Sequence, residues 1–132
     1  MTTIISQTIN IQSIAANATE ERHGFPPAAG EWKLEEALFV PSTTSAANGT
    51  NYATISLLAG TGGTSLATLT SASVAFTKGT GRVFTLSGGT ALEFTGGAGT
   101  DCVEIAITQA ASGAVVDGSV ILTWRKLARD SA

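Results

Sequence analysis

Charged side chains are scarce in this chain of 132 residues, where lysine, arginine, aspartate and glutamate together make up 13%. An ordinary soluble domain carries about 25% charged residues. The surface must therefore be rich in threonine, serine, alanine and glycine, and such a weakly charged exterior indicates coverage by partner proteins. The formal net charge of −3 at pH 7, without long runs of lysine or arginine, predicts that nucleic acid is not a partner.

Residues that carry catalytic chemistry are also few. The only cysteine is Cys102 and the only histidine is His23. One cysteine excludes an internal disulfide and a cysteine-rich zinc site. A serine or cysteine nucleophile needs a base, usually histidine, within hydrogen-bond reach. His23, however, lies in a proline-flanked loop among charges, which favours a solvated side chain, and Cys102 opens a predicted strand as a small core residue.

Motifs for cofactors and metals are missing as well. No glycine cluster has the spacing of a dinucleotide-binding or phosphate-binding loop, and no calcium-loop spacing is present. Glu93, Asp101, Glu104 and Asp117 lie on or beside predicted strands, but nothing selects a pair for glycoside hydrolysis. We predict no catalytic, cofactor-binding or metal-binding residues, and therefore a protein that is not an enzyme.

Long apolar runs are absent. No segment approaches the roughly 18 uninterrupted apolar residues that indicate a membrane-spanning helix. The N-terminus lacks the basic and apolar regions of a signal peptide. We therefore expect a protein that has no membrane partner, is not secreted through a signal peptide, and is made in a reducing cytoplasm.

What the sequence does have is a series of short β-branched or aliphatic runs separated by glycine clusters, which is typical of consecutive antiparallel strands. Turn signals that recur about every 8 to 12 residues favour a sandwich or barrel. From residue 51 onward the predicted strands are Tyr52–Ala59, Ser65–Ser71, Val74–Thr77, Arg82–Leu86, Ala91–Thr95, Cys102–Gln109 and Ser119–Leu127.

Several of these strands alternate with period two, so that one face of each strand is buried. The residues that share such faces are Ala53, Ile55 and Leu57, then Val103, Ile105 and Ile107, then Val120, Leu122 and Trp124. Each face needs a second apolar layer, and two packed sheets supply it. We predict an all-β fold, an antiparallel β-sandwich of about eight short strands.

The N-terminal part is less regular. Alternation predicts a strand within Ile4–Ile14, which is either a strand of the chain's own sheet or an arm donated to a neighbour. A long connection, Ala15–Gly30, is predicted next, because Pro26 and Pro27 disfavour helix and central strand.

The segment Trp32–Val40 begins the body of the predicted sandwich. As a strand it places Trp32, Leu34 and Leu38 on one face, opposite Lys33, Glu35, Ala37 and Phe39. The spacing of Leu34 and Leu38 also fits a helix, which is the alternative. The predicted single domain thus divides into 1–31, the N-terminal strand or arm with the long connection, and 32–132, the sandwich body.

Basic residues concentrate at the C-terminus, directly after an apolar strand. They either block uncontrolled pairing of an edge strand or contact an acidic patch on a partner. Together with the apolar N-terminal strand they give the predicted partner contacts, which are Ile4, Ile5, Ile9, Ile11, Arg125, Lys126 and Arg129.

Four segments resemble the pattern of tailed-bacteriophage capsid decoration, or cement, proteins. They are Trp32–Pro41, Asn51–Thr54, Leu92–Phe94 and Gly118–Lys126. The resemblance covers most of the chain from Trp32 onward and rests on texture rather than on a diagnostic motif. It implies a jelly-roll-like β-sandwich on the capsid exterior of the virion, bound to the major capsid protein and to itself as a homodimer or homotrimer.

The resemblance also implies a function, which is to stabilise contacts between major capsid protein subunits. Deleting residues 2–14 is then predicted to weaken attachment and to leave the sandwich folded. The alternative function is a carbohydrate- or receptor-binding module of a phage fibre or adhesin. Sugar platforms generally need exposed aromatic residues, and only 6% of the residues here are aromatic.

Overall fold

The computed structural model describes residues 3–12, 19–97, 99–109 and 116–127. These residues form nine strands and one 3₁₀ turn, Gly89–Leu92, joined by turns and loops, and no helix among them is long enough to cross a membrane. The strands of the described residues are β1 (Ile4–Ile11), β2 (Thr19–Gly24), β3 (Gly30–Pro41), β4 (Ala53–Ala59), β5 (Thr64–Thr70), β6 (Arg82–Val83), β7 (Glu93–Gly96), β8 (Val103–Gln109) and β9 (Gly118–Lys126).

The strands form two antiparallel sheets. One has the order β1-β9-β3-β6, with β7 pairing a different stretch of β3, and the other has the order β2-β8-β4-β5. The chain crosses repeatedly from one sheet to the other, and among the described strands β4 and β5 alone are consecutive and paired. This arrangement is a jelly roll, in which two Greek keys are wound into a double sheet. The predicted all-β, jelly-roll-like sandwich is confirmed.

The inner faces of the two sheets meet in one apolar core. The alternation predicted for β4, β8 and β9 is confirmed, since all nine of their predicted inward residues are fully buried. Trp124 lies at the centre of one sheet, edge-to-face with Phe94 at a ring separation of 5.4 Å. The central position of β8 and β9 explains why their inner faces carry large apolar residues without interruption.

Strand β3 contains a β-bulge that reverses the predicted faces. Its pairing with β9 shifts register between Leu34 and Glu36. A bulge places two residues opposite one and so changes which side the following residues face. Trp32 and Leu34 face the core as predicted, but beyond the bulge Phe39 is fully buried and Leu38 is on the outer side, which is the opposite of the prediction. The segment is a strand, and the helical alternative is wrong.

Strand β2 lies inside the segment that was predicted as a long connection. It pairs antiparallel with β8, from Thr19 opposite Thr108 to Gly24 opposite Val103. Its composition is polar because it is an edge strand, for which a continuous apolar face is not required. At its end, a Cβ atom on Gly24 would come within 2.5 Å of the Leu122 side chain, so only glycine lets β2 approach the opposite sheet this closely.

Three other predicted strands are shorter or absent. Val74–Thr77 contributes one isolated bridge, between Phe76 and Ser45. The segment predicted at Arg82–Leu86 is reduced to β6, and the Ala91–Thr95 prediction is met in part by the 3₁₀ turn followed by β7. Glycines flank these segments and interrupt the regular pairing there.

Candidate interaction surface

Strand β1 forms an edge of the larger sheet. All eight of its residues pair with β9, from Ile4 opposite Arg125 to Ile11 opposite Gly118. It is therefore a strand of the chain's own sheet and not a detached arm. No other described strand pairs with its second edge. Its remaining backbone N–H and C=O groups are thus available to an added strand.

The four isoleucines predicted as partner contacts divide into two pairs. Ile11 is 3% exposed and belongs to the core, and Ile9 packs against that core. Period-two alternation in β1 directs both side chains toward the sandwich. The prediction of Ile11 as a contact is corrected because it is buried, whereas Ile9 is half-buried and its contact role stays a prediction. Ile4, opposite Arg125, lies on the outer face of the sheet and is 58% exposed, whereas Ile5, opposite Trp124, lies on the inner face and is 37% exposed.

Phe25 adds a third exposed apolar side chain next to β1. The Gln7 side chain donates a hydrogen bond from Nε2 to the carbonyl oxygen of Phe25 over 3.2 Å. The Phe25 side chain itself is 40% exposed. We call Ile4, Ile5 and Phe25 the apolar edge patch, because all three lie on or beside the edge strand β1, with Ile4 on its outer face and Ile5 on its inner face. It contains three of the five large apolar side chains that are exposed among the described residues, the others being Val74 and Val83.

The basic residues predicted as contacts interact mainly within the chain. Arg125 Nε lies 3.1 Å from Glu35 Oε2 in an ion pair on the outer face of the sheet. Lys126 Nζ lies 6.0 Å from the centroid of the Trp32 ring. Arg129 lies outside the described residues. The charges of Arg125 and Lys126 therefore help to fix the end of β9 beside the patch.

Both tryptophans are buried beneath this surface. Trp124 Nε1 donates to Gln7 Oε1 over 3.3 Å, and Trp32 Nε1 donates to the carbonyl oxygen of Ala28 over 3.0 Å. Trp32 is 2% exposed and Trp124 is fully buried. Gln7 thus connects the core tryptophan to Phe25 through its two amide atoms, and β1 is held in one position against the core.

A second polar feature lies on the outer face of the smaller sheet. The sequence indicated that His23 lies in a loop. In the structure it lies on β2, directly opposite Glu104 of β8. His23 Nε2 is 3.5 Å from Glu104 Oε2 and 3.4 Å from Thr61 Oγ1. Glu21 precedes His23 by two residues and therefore points to the same face. Sequence analysis missed this group because neither β2 nor its register with β8 was predicted.

Cys102 lies just before β8 and is buried. Burial, and then the nearby carboxylates of Asp101 and Glu104, raise the pKa of its thiol above the usual value. Since the thiolate is the reactive form, a thiol that holds its proton to higher pH is less reactive. The location agrees with the interpretation of Cys102 as a core residue.

We expect Cys102 to react with the disulfide reagent DTNB at about pH 8 at least about tenfold more slowly in the folded chain than in guanidinium. Folding blocks the reagent's access to the sulfur atom and lowers the fraction of the thiol that is deprotonated. Stopped-flow absorbance measures the two rates. Free cysteine in the same two solutions corrects for the denaturant. Equal corrected rates would show that the thiol is neither buried nor held protonated.

Comparisons with known proteins give little beyond this geometry. No protein-family model and no curated protein matches the chain. A chain from Bacillus endospore appendages, described as disulfide-linked pili, has a TM-score of 0.42 and 16% identity over 96% of this chain and 89% of that chain. A chain from infectious bursal disease virus, Gx strain, has a TM-score of 0.38 and 17% identity over 95% of this chain and 32% of that chain. We infer nothing about function from likenesses this weak.

Proposed function

We propose that this jelly-roll protein is a structural virion protein that binds the outside of a tailed-phage capsid and stabilises contacts between major capsid protein subunits. The observation that carries the proposal is the apolar edge patch, which lies at a strand edge whose backbone N–H and C=O groups can pair with another strand. Exposed apolar groups beside an unpaired edge favour association with another protein surface.

The low charge of the chain supports a role in an assembly. Charged residues make up 13% of the sequence, about half the usual share. A protein that stays bound to a capsid shell needs less surface charge for solubility than a free monomer does.

A rigid sandwich also suits attachment to a shell. Its conformational entropy is already lost on folding, so binding orders few additional groups. A protein that binds only the closed shell shifts the equilibrium between open and closed shells toward the closed one. Each bound copy adds a modest binding free energy, and many copies together add a large one. The proposed role therefore requires binding and no catalysis.

The alternative, a carbohydrate-binding module, lacks support from the tryptophans. Sugar-binding platforms commonly present an aromatic ring to the ligand. Trp32 and Trp124 are both in the core. Among the described residues Phe25 is the one strongly exposed aromatic side chain. It lies beside the edge strand β1, where Gln7 donates to its carbonyl oxygen, and a position beside an open strand edge fits a protein partner better.

The experiment is co-sedimentation of the purified chain with the capsids of its parent phage. We expect Ile4→Lys to weaken attachment by about tenfold or more, because a charge placed within an apolar contact loses its hydration without gaining a partner. Val74→Lys is the matched control, since Val74 is 54% exposed, nearly the same as Ile4, but lies outside the patch. Circular dichroism confirms that both variants fold.

Equal attachment of Ile4→Lys and Val74→Lys would remove the patch from the contact. Failure of the unaltered chain to sediment with capsids would overturn the proposed function. Retention of the chain on a glycan column, without any binding to capsids, would instead favour the carbohydrate-binding alternative.

A further inference from the structure

Glu21, His23 and Glu104 form a cluster of three possible metal ligands on the outer face of the smaller sheet. One ligand atom from each residue lies within 4.8 Å of the other two. Two of the residues come from β2 and the third from β8, and the pairing of His23 with Glu104 fixes their relative positions. The loop between β4 and β5 lies over them, because Thr61 and Gly62 both reach the cluster.

Glu104 is the unusual member of this cluster. It is 3% exposed, although it lies on the outward-facing side of its strand. Its Oε1 accepts a hydrogen bond from the backbone N–H of Gly62 at 3.4 Å. Its Oε2 makes no hydrogen bond among the described residues, and the group nearest in charge is His23 Nε2 at 3.5 Å, which pairs with it only when the imidazole is protonated. A buried carboxylate oxygen without a hydrogen bond is unfavourable unless a cation lies against it.

We propose that Glu21, His23 and Glu104 bind a divalent transition-metal ion, with Zn²⁺ the best match to their chemistry. The imidazole nitrogen of His23 and one oxygen from each carboxylate are the donors. The ion coordinates Glu104 Oε2, the buried oxygen that makes no hydrogen bond. This inference is independent of the proposed capsid binding.

The mixed donor set selects the class of metal. Calcium and magnesium are hard cations that take oxygen ligands. Zinc binds histidine nitrogen and carboxylate oxygen at about 2.0–2.2 Å, and imidazole suits zinc and its neighbours in the first transition row. Nitrogen from His23 therefore favours zinc over calcium.

The geometry is close to what zinc requires. A tetrahedral ion with bonds of about 2.1 Å separates its ligand atoms by about 3.4 Å. His23 Nε2 and Glu104 Oε2 are already 3.5 Å apart. Glu21 is exposed, so its carboxylate has room to move toward the other two. Three protein ligands leave a fourth coordination position for water.

A bound ion would add a link between an edge strand and its neighbour. β2 is an edge strand paired only with β8 among the described strands. An ion shared by Glu21, His23 and Glu104 would link that edge strand to the centre of the sheet. Any ligand that binds only the folded chain raises its stability. Zinc should therefore raise the melting temperature.

Zinc binding is tested on the full chain, prepared without a histidine tag, by calorimetric titration with ZnCl₂. We expect one ion per chain. Because His23 is the only histidine, its imidazole nitrogen signals in NMR are assigned without further work. We expect the Nε2 signal to shift on saturation with zinc.

Substitutions identify the ligands. We expect His23→Ala and Glu104→Gln each to weaken zinc binding by at least about tenfold, since even outer-shell partners of a metal are worth about 10–100-fold in affinity. Glu36→Gln is the matched control, because it removes an exposed carboxylate from the other sheet and should leave the affinity within about twofold. Cys102→Ala should also retain zinc, since the thiol is not one of the proposed ligands.

Stability measurements separate loss of the site from loss of the fold. Glu104→Gln removes a buried charge while keeping an acceptor for Gly62. The metal-free variant should therefore melt at the same temperature as the metal-free original chain, or higher. Zinc should raise the melting temperature of the original chain and leave that of Glu104→Gln unchanged.

Three outcomes would overturn the metal site. They are no saturation at millimolar ZnCl₂, unchanged His23 signals during the titration, and loss of binding in Cys102→Ala with retention in Glu104→Gln. The first two would leave His23 and Glu104 as a simple ion pair between neighbouring strands.

Discussion

Replacing Trp124 with alanine is expected to lower the free energy of unfolding by about 3–5 kcal/mol, the range measured when a buried large aromatic residue is cut back to alanine. Trp124 is fully buried at the centre of the larger sheet. The substitution removes its edge-to-face contact with Phe94 and leaves a cavity that the two rigid sheets cannot close. It also leaves Gln7 Oε1 without the indole N–H.

Urea unfolding followed by circular dichroism measures this loss. The control is Thr123→Ala, one residue earlier on the same strand but on its outer face, where the Thr123 hydroxyl lies 3.4 Å from that of Ser6. We expect the control to change the free energy by less than about 0.5 kcal/mol. A loss below about 1 kcal/mol for Trp124→Ala would mean that the core is not packed around this ring.

Deleting residues 2–14 is expected to abolish cooperative folding. The deletion removes all of β1, which pairs along the length of β9. It removes the buried Ile11 and the inward-facing Ile9, where full burial of an isoleucine side chain contributes about 1.5–3 kcal/mol. It also exposes the backbone and inner face of β9. A domain has about 5–15 kcal/mol of stability in total, and this loss is comparable.

Size-exclusion chromatography and thermal unfolding test the deletion. We expect aggregation or a chain without a cooperative transition. Ile4→Lys is the matched control, because it changes one exposed side chain of the same strand and keeps every backbone pairing. A soluble, cooperatively melting deletion variant would show instead that β1 is a dispensable arm. The expectation from sequence, that the sandwich survives this deletion, rested on the arm alternative.

The core of the fold was predictable where a strand is central and regular. In β8 and β9 both sides of the strand are paired, and the inner face is covered by the opposite sheet. Such strands must alternate between apolar and polar residues without interruption. For that reason the buried faces around Ile105 and Leu122 were predicted correctly.

The faces of β3 were predictable only up to its bulge. An extra residue at Glu35 reverses which of the following residues face the core. Composition does not reveal this reversal, because Leu38 and Phe39 are both apolar. A period-two prediction assumes that pairing continues in register. Only the pairing with β9 shows which of these two residues enters the core.

The two candidate sites were predictable to different degrees. Ile4 and Ile5 were predicted as partner contacts, because an apolar N-terminal strand is visible in the sequence pattern, and this role stays a prediction. Glu21, His23 and Glu104 were not predicted as a site, since their proximity depends on an edge strand with a polar composition. Glu104 is also separated by 81 positions from His23, and antiparallel pairing alone brings them together.

The pairing of β1 with β9 has a consequence for synthesis. It joins the first strand of the described chain to the last, and the backbone N–H of Lys126 donates to the carbonyl oxygen of Thr3 over 2.9 Å. Contacts between such distant residues form slowly, because the loop between them must close first. During synthesis β1 therefore has no strand to pair with until β9 has been made. The larger sheet is completed only after β9 has left the ribosome.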